Sequence, residues 1–69
     1  MAEGLRNRLR ELRAARELTQ AALAELVGVS RKTINTVENG VFVPSTTLAL
    51  KLARALGCRV EDLFSLEQD

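Results

Sequence analysis

Histidine is absent from the 69-residue sequence, and Cys58 is its single cysteine. Without an imidazole or a second thiol, the chain has no internal disulfide, no Cys/His zinc site and no Ser-His-Asp or Cys-His catalytic arrangement. The carboxylates, which are the remaining acid/base groups, fall singly on the surfaces of the predicted helices. We therefore expect no enzyme activity, no metal and no cofactor, and we interpret Cys58 as a small buried hydrophobic residue.

Long apolar runs and a charge imbalance are also missing. Ten basic and nine acidic residues leave a formal net charge of +1, and 46% of the residues are hydrophobic. This composition is typical of a folded globular domain, and a chain of this length forms one core. No segment has the pattern of a membrane span or a secretion signal, so we expect one cytoplasmic domain over residues 1–69, without a membrane or small-molecule partner.

The apolar residues that are present recur three or four positions apart, while alternation of period two is nearly absent. This periodicity predicts an all-α fold. The first helix is predicted over about residues 4–17, with Leu5, Leu9 and Leu12 on one face. A last apolar turn is predicted over residues 60–64, and the residues after it are expected to be extended or frayed.

Three more helices are expected between these ends. Thr19, Ser30 and Ser45 are predicted to cap their N-termini, and Gly28 and Gly57 to end the second and fourth helices. The side chains predicted to face the core are Leu23, Leu26, Val27, Ile34, Val37, Leu48, Leu52, Ala53 and Leu56.

The segment over residues 19–40 separates two chemically different sets of side chains. Small or branched apolar residues lock two short helices together, and Gly28 permits a tight turn between them, which predicts a helix-turn-helix over about residues 20–38. The opposite face of its second helix carries Arg31, Lys32, Asn35 and Thr36. These groups can read a DNA major groove: Arg or Lys at guanine, Asn at adenine and a Thr methyl at thymine.

The alternative interpretation of this face is an ordinary solvated helix surface, which composition alone favours because the net charge is nearly zero. The glycine turn and the shortness of both helices favour nucleic-acid binding instead. Gln20 and Asn39, at the two ends of the segment, are predicted to hydrogen-bond phosphate oxygens from neutral side chains. Such donors explain how a weakly charged protein holds DNA.

The same segment resembles a known family. The stretch TQAALAELVGVSRKTINTVENG is similar to the Cro/phage-repressor (Xre-like) helix-turn-helix, whose usual form is T-Q-x-x-L-A-x-x-x-G-V-S-x-x-x-I-x-x-x-E-N-G. The resemblance continues through Pro44, the motif LARALG and the motif VEDLF, and it covers nearly all of residues 5–64. It implies a five-helix lambda-repressor-like DNA-binding domain with short extended ends, of the stand-alone homodimeric repressor type.

The resemblance also implies roles for individual residues. Members of the family often pair an arginine of helix one with the glutamate of E-N-G, which here implies a structural ion pair between Arg13 and Glu38. The positions that face DNA bases in the family correspond to Ser30, Arg31, Lys32, Asn35 and Thr36, and the phosphate-contacting positions to Gln20 and Asn39.

Three features of the first and middle segments have open alternatives. Arg10 and Arg16 either approach the phosphate backbone or are simply solvated. Phe42 is a core plug, a backbone contact beside the groove or part of an interface, and the core plug is the favoured interpretation.

A homodimer is predicted because one recognition helix reads only a few base pairs. The apolar residues least needed by a four-helix core lie near the C-terminus, and Leu5 is expected nearby. The predicted dimer interface comprises Val60, Leu63, Phe64 and Leu66.

The function predicted from these features is sequence-specific binding of double-stranded DNA by a transcriptional regulator, in particular a repressor on a two-fold symmetric operator. The alternative is an antitoxin or protein-binding adaptor with the same fold.

Overall fold

The computed structural model describes residues 4–67. In chain order its elements are β1 (Leu5–Asn7), α1 (Leu9–Ala15), α2 (Gln20–Val27), α3 (Arg31–Glu38), α4 (Thr46–Leu56), α5 (Val60–Leu63) and β2 (Phe64–Leu66). The prediction of a mainly helical, five-helix fold with short extended ends is confirmed. No helix within residues 4–67 combines the length and the apolar character needed to cross a bilayer.

The helix starts follow from local side-chain chemistry. Thr19, Ser30 and Ser45 each accept a hydrogen bond from the backbone N–H three residues further on, at 3.0–3.1 Å, as predicted for N-cap residues. Gly28 and Gly57 adopt left-handed conformations with φ of +75° and +65° and end α2 and α4. These two conformations favour glycine because a Cβ is strained there.

All five helices contribute side chains to one apolar core. Its buried members are Leu9, Leu23, Ala24, Val27, Ile34, Val37, Leu48, Leu52, Ala53, Leu56 and Leu63. The predicted core residues of the second to fourth helices are all buried except Leu26, which is 61% exposed. Because the buried residues of α2 span an arc of about 100°, Leu26 lies roughly 110° from the centre of that arc and faces outward.

The first helix is shorter than predicted, because it begins at Leu9 and ends at Ala15. Residues 5–7 instead form β1, which pairs antiparallel with β2, with Leu5 opposite Leu66. Glu17, predicted to be helical, has a left-handed φ of 56°. The inner-face prediction for the first helix is therefore wrong for Leu5, which belongs to the ribbon formed by β1 and β2.

Asn7 explains where α1 starts. Its Oδ1 accepts a hydrogen bond from the backbone N–H of Leu9 at 3.2 Å, and its Nδ2 donates to the carbonyl oxygen of Val37 at 3.1 Å. A side chain that satisfies a free N–H of the first turn favours starting the helix there. The same amide ties the ribbon to the end of α3.

Two predictions about apolar residues are corrected by their burial. Leu63 is 1% exposed within its own chain, so it belongs to the core and is not available to a partner. Phe42 is 47% exposed, so the core-plug interpretation is wrong. Cys58 is half-buried and packs against the core, and burial raises the pKa of its thiol.

Candidate nucleic-acid interface

The turn between α2 and α3 sets the position of the exposed face of α3. Three residues separate the helices, and the N–H of Val29 donates to the carbonyl oxygen of Ala24 at 3.0 Å, which closes the end of α2 behind Gly28. Ile34 and Val37 are buried beneath α3. The opposite side of α3 therefore faces outward in a fixed orientation.

The side chains on that outward side differ in exposure. Arg31 and Lys32 are exposed, whereas Asn35 and Thr36 are half-buried. The Thr36 hydroxyl donates to the carbonyl oxygen of Thr33 at 2.9 Å, so its O–H is already satisfied. The face presents two cations at its beginning and an amide one turn later.

Ser30 lies at the start of the same face. Its Oγ accepts from the N–H of Thr33 at 3.1 Å and lies 3.0 Å from the Thr33 hydroxyl. The cap therefore engages the Ser30 hydroxyl, and both oxygens remain on the solvent-exposed edge of the helix.

A polar junction joins α1, α2 and the end of α3, and we define it as Arg10, Arg13, Gln20, Glu38 and Asn39. The Glu38 side chain at its centre has 0% exposure. Arg13 Nε lies 2.6 Å from Glu38 Oε2, while Arg10 Nε and Gln20 Nε2 donate to Oε1 at 3.3 and 3.0 Å. The structure thus brings together the two residues implied to form an ion pair, and it adds two further donors.

Arg13 has a second partner besides Glu38, since its Nη1 donates to the carbonyl oxygen of Leu18 at 2.8 Å. Burial alone would raise the pKa of Glu38, but the hydrogen bonds from Arg13, Gln20 and Arg10 outweigh it and hold this pKa below its usual value. The hydrogen bond to Glu38 raises the pKa of Arg13. Both members of the pair are therefore charged at neutral pH.

Two branches of the junction reach the outward face of α3. In one, Gln20 Oε1 accepts from Arg31 Nη1 at 3.3 Å. In the other, Arg10 Nη2 donates to Asn39 Oδ1 at 2.8 Å, and Asn39 Nδ2 donates to Asn35 Oδ1 at 2.6 Å. Gln20 and Asn39, which were predicted to contact phosphate, are therefore also connectors inside the chain.

Sequence reasoning left the role of Arg10 open, although a signal for it was present. Arg10 and Arg13 are three residues apart and lie on one face of α1. Once Arg13 is paired with Glu38, the same face brings Arg10 to the end of α3. Arg16, the other arginine left open, is an exposed residue at the end of α1.

The described residues form no metal site, because no three Cys, Asp or Glu side chains within residues 4–67 are grouped closely enough to hold an ion.

Comparison with known proteins identifies the family. Residues 9–63 match the helix-turn-helix family model. The chain is 43% identical over 65 residues to the uncharacterized HTH-type transcriptional regulator YgzD of Bacillus subtilis, and the match covers 94% of this chain and 98% of that protein. The chain belongs to the helix-turn-helix family, and the resemblance to its Cro/phage-repressor type is confirmed.

Solved structures agree with this assignment. The restriction-modification controller protein C.AhdI from Aeromonas hydrophila superimposes with a TM-score of 0.76 at 44% identity, covering 80% of this chain and 83% of that one. The P22 c2 repressor, crystallised in complex with a synthetic operator, also has a TM-score of 0.76, at 35% identity, with 78% and 82% covered. Membership in this family places the chain among non-enzymatic regulators.

Proposed function

We propose that this protein is a transcriptional regulator that binds double-stranded DNA sequence-specifically, and that it acts as a repressor. The observation that carries the proposal is the outward side of α3, which exposes Arg31 and Lys32 above the buried Ile34 and Val37. A helix of this kind fits the major groove, where arginine and lysine are the most frequent readers of guanine. The likeness to a repressor crystallised with a synthetic operator supports the same function.

Individual roles follow from the contacts of each side chain. Arg31 and Lys32 read base edges or phosphates, and Asn35 reads the base one helical turn further on. Thr36 offers its methyl group, since its hydroxyl bonds to the helix backbone. Ser30 contributes at the edge of the same face.

Gln20 and Asn39 contact phosphates through the amide N–H that each retains after its hydrogen bonds inside the chain. The internal bonds hold these two side chains in place before DNA arrives. Ordered donors of this kind lose less conformational entropy on binding.

A titration against DNA from its own promoter region, at two salt concentrations, tests the proposal. We expect Arg31→Ala and Asn35→Ala each to weaken operator binding by about 1–3 kcal/mol without lowering thermal stability. Lys32→Ala should alter either the sequence preference or the salt slope. Unchanged affinity in both of the first two variants would contradict the assignment of α3, and binding to a protein but to no DNA would favour the adaptor function.

We further propose a two-fold homodimer, because selective binding in a genome asks for two recognition helices about 34–36 Å apart. An apolar groove of about 280 Å³ supports this proposal. We call its apolar lining the ribbon face, and it comprises Leu5, Val43, Pro44, Ala49, Leu50, Val60 and Phe64. Leu66, opposite Leu5 in the ribbon, is 43% exposed and extends the same surface.

The ribbon face suits a second copy of the chain for two reasons. Within residues 4–67 no charged side chain lines the groove, so a two-fold axis through it places no like charges against each other. None of its lining residues belongs to α3, so a partner bound there leaves the recognition helix free. Of the four interface residues predicted from the sequence, the proposal keeps Val60, Phe64 and Leu66.

Sedimentation equilibrium of the wild-type protein tests the dimer directly. We expect the mass of a dimer at tens of micromolar protein. A monomer at that concentration would contradict the proposal.

A further inference from the structure

Arg10 makes a forked contact that spans two helices. From α1, its Nε donates to Glu38 Oε1 at 3.3 Å, and its Nη2 donates to Asn39 Oδ1 at 2.8 Å. The two acceptors are the last residue of α3 and the residue that caps its C-terminus. Arg10 therefore touches the buried centre of the polar junction and the branch that runs through Asn39 to Asn35, although 63% of its own side chain is exposed.

The guanidinium determines which way the neighbouring amide points. Arginine has donors and no acceptor, so Asn39 must turn its oxygen toward Arg10 and its NH₂ group away. That NH₂ group meets Asn35, whose oxygen must then face Asn39, and the observed Nδ2 to Oδ1 distance is 2.6 Å. The orientation of one amide is thereby passed to the next.

As a consequence, the two ends of the Asn35 amide are not equally free to meet a base. Its oxygen accepts from Asn39, whereas its Nδ2 donates to none of the described residues between Gly4 and Glu67. In this orientation Asn35 meets a base as a donor, which suits the acceptors N7 and O6 of guanine, N7 of adenine and O4 of thymine. Without Arg10, Asn39 has no charged group that favours one orientation of its amide over the other.

We propose that Arg10 is a positioning residue for base recognition, which acts from α1 through Asn39 to orient the Asn35 amide toward the DNA. This inference rests on the proposed function, since it concerns how α3 reads a base. It separates Arg10 from residues that only add positive charge, because charge alone affects all operator sequences equally.

Relative affinities for an operator set, in which every position carries each of the four bases in turn, test this role. For Arg10→Met we expect discrimination to fall about fivefold at the single position of each half-site read by Asn35, the size of one lost hydrogen-bond preference. Discrimination at the other positions stays as in the wild type. Any uniform loss of affinity from the missing charge leaves these ratios unchanged.

Arg8→Met is the matched control. Arg8 precedes α1 and its side chain donates to Glu11 at 3.4 Å, with no side-chain hydrogen bond or ion pair to α3 among the described residues. It removes the same charge from the same end of the helix. We expect its base preferences to equal those of the wild type, and Arg10→Lys, which keeps a donor toward Asn39, to restore part of the lost discrimination.

A second variant reverses the relay instead of removing it. In Asn39→Asp, residue 39 still accepts from Arg10 but has no NH₂ group to offer. Asn35 then turns its own Nδ2 inward and its oxygen outward, so we expect its preference to move toward bases with an exocyclic amine, adenine or cytosine. A melting curve of each variant shows that the fold is retained.

The outcomes separate the two proposals. If the wild-type protein shows no base preference at any position, the proposed function fails and this inference fails with it. If the wild type discriminates bases but Arg10→Met and Asn39→Asp keep its preferences at every position, only the positioning role of Arg10 is overturned.

Discussion

The polar junction and the ribbon face are two regions of one small chain that handle exposure to water in opposite ways. In the polar junction, a fully buried carboxylate receives hydrogen bonds from three side chains of the same chain. On the ribbon face, Val43 and Leu50 remain 68% and 57% exposed. The hydrogen bonds of the first region are satisfied within one chain, whereas the second region leaves apolar side chains exposed.

The difference shows how the two regions use their interactions. A buried charge requires directional partners, so the junction holds each side chain in one position and orients the groups on α3. Apolar contact is not directional and scales with the area removed from water, so the ribbon face can gain stability from a second copy of itself. Under the proposed function, recognition of DNA and association with a second copy therefore use different surfaces.

The largest effect is expected from removing the centre of the junction. Glu38→Ala leaves the charge of Arg13, whose side chain is 15% exposed, without its partner. This change should cost about 3–5 kcal/mol in the free energy of unfolding. Urea denaturation measures this cost. Removing Arg13 as well should cost less than the sum of the two single changes, because the double variant contains no unpaired buried charge.

Glu38→Gln keeps the shape of the side chain and serves as the milder variant if Glu38→Ala does not fold. A double-mutant cycle between Arg13 and Glu38 that is additive would contradict the view that the junction acts as one unit.

The next effect concerns the ribbon face. Leu50→Glu places a charge at its exposed edge, where the two-fold axis would bring two such charges together. We expect dimer dissociation to increase by roughly 30-fold, as for loss of an interface hot spot of about 2 kcal/mol. Sedimentation equilibrium measures this change. Because Leu50 is outside the core, the variant measured as a monomer should have a melting temperature close to that of the wild-type monomer. An undisturbed dimer in the variant would show that the interface lies elsewhere.

A smaller effect is expected from acid. The pKa of Glu38 is lower in the folded chain than in the unfolded one, so its charged form stabilises the fold above the ordinary glutamate pKa of about 4.3. This contribution is lost as the pH falls through the lowered pKa of the folded state. Denaturation between pH 5 and pH 3 should therefore show a fall in stability that Glu38→Gln reduces.

Glu61 is the matched control for the acid experiment. Its pKa is also lowered, by a backbone hydrogen bond first and by Arg59 second, but its side chain is exposed. Solvent screening weakens such surface pairs, so Glu61→Gln should leave the acid transition nearly unchanged. An equal response from the two variants would mean that the junction has no special part in acid stability.

The smallest effect is expected at Leu26, which is exposed on α2 outside both regions. Leu26→Gln should change stability by no more than about 0.5 kcal/mol and should leave the dimer intact. Leu23→Gln, three residues earlier and 0% exposed, is the contrasting variant and should unfold the domain. Loss of the dimer in Leu26→Gln would show that the ribbon face is not the whole interface.

Interactions between residues close together in the chain could be predicted from the sequence. The caps at Thr19, Ser30 and Ser45 and the glycine after α2 each act within four residues, so the bounds of α2 to α4 could be predicted. The partners of Glu38 were only partly predictable. Family likeness implied Arg13, whereas Arg10 and Gln20 arrive from separate helices and depend on how α1 and α2 cross α3.

The sequence by itself therefore determined the fold class, the helix-turn-helix and the outward face of α3, because periodicity and capping are properties of neighbouring residues. Only the tertiary structure decided that residues 5–7 form a strand. Their partners at residues 64–66 lie almost a full chain length away, so no local pattern distinguished the strand from a continuing helix. The burial of Leu63 and the exposure of Leu26 and Phe42 were likewise decided by packing, because each is apolar and only its neighbours in space determine whether water reaches it.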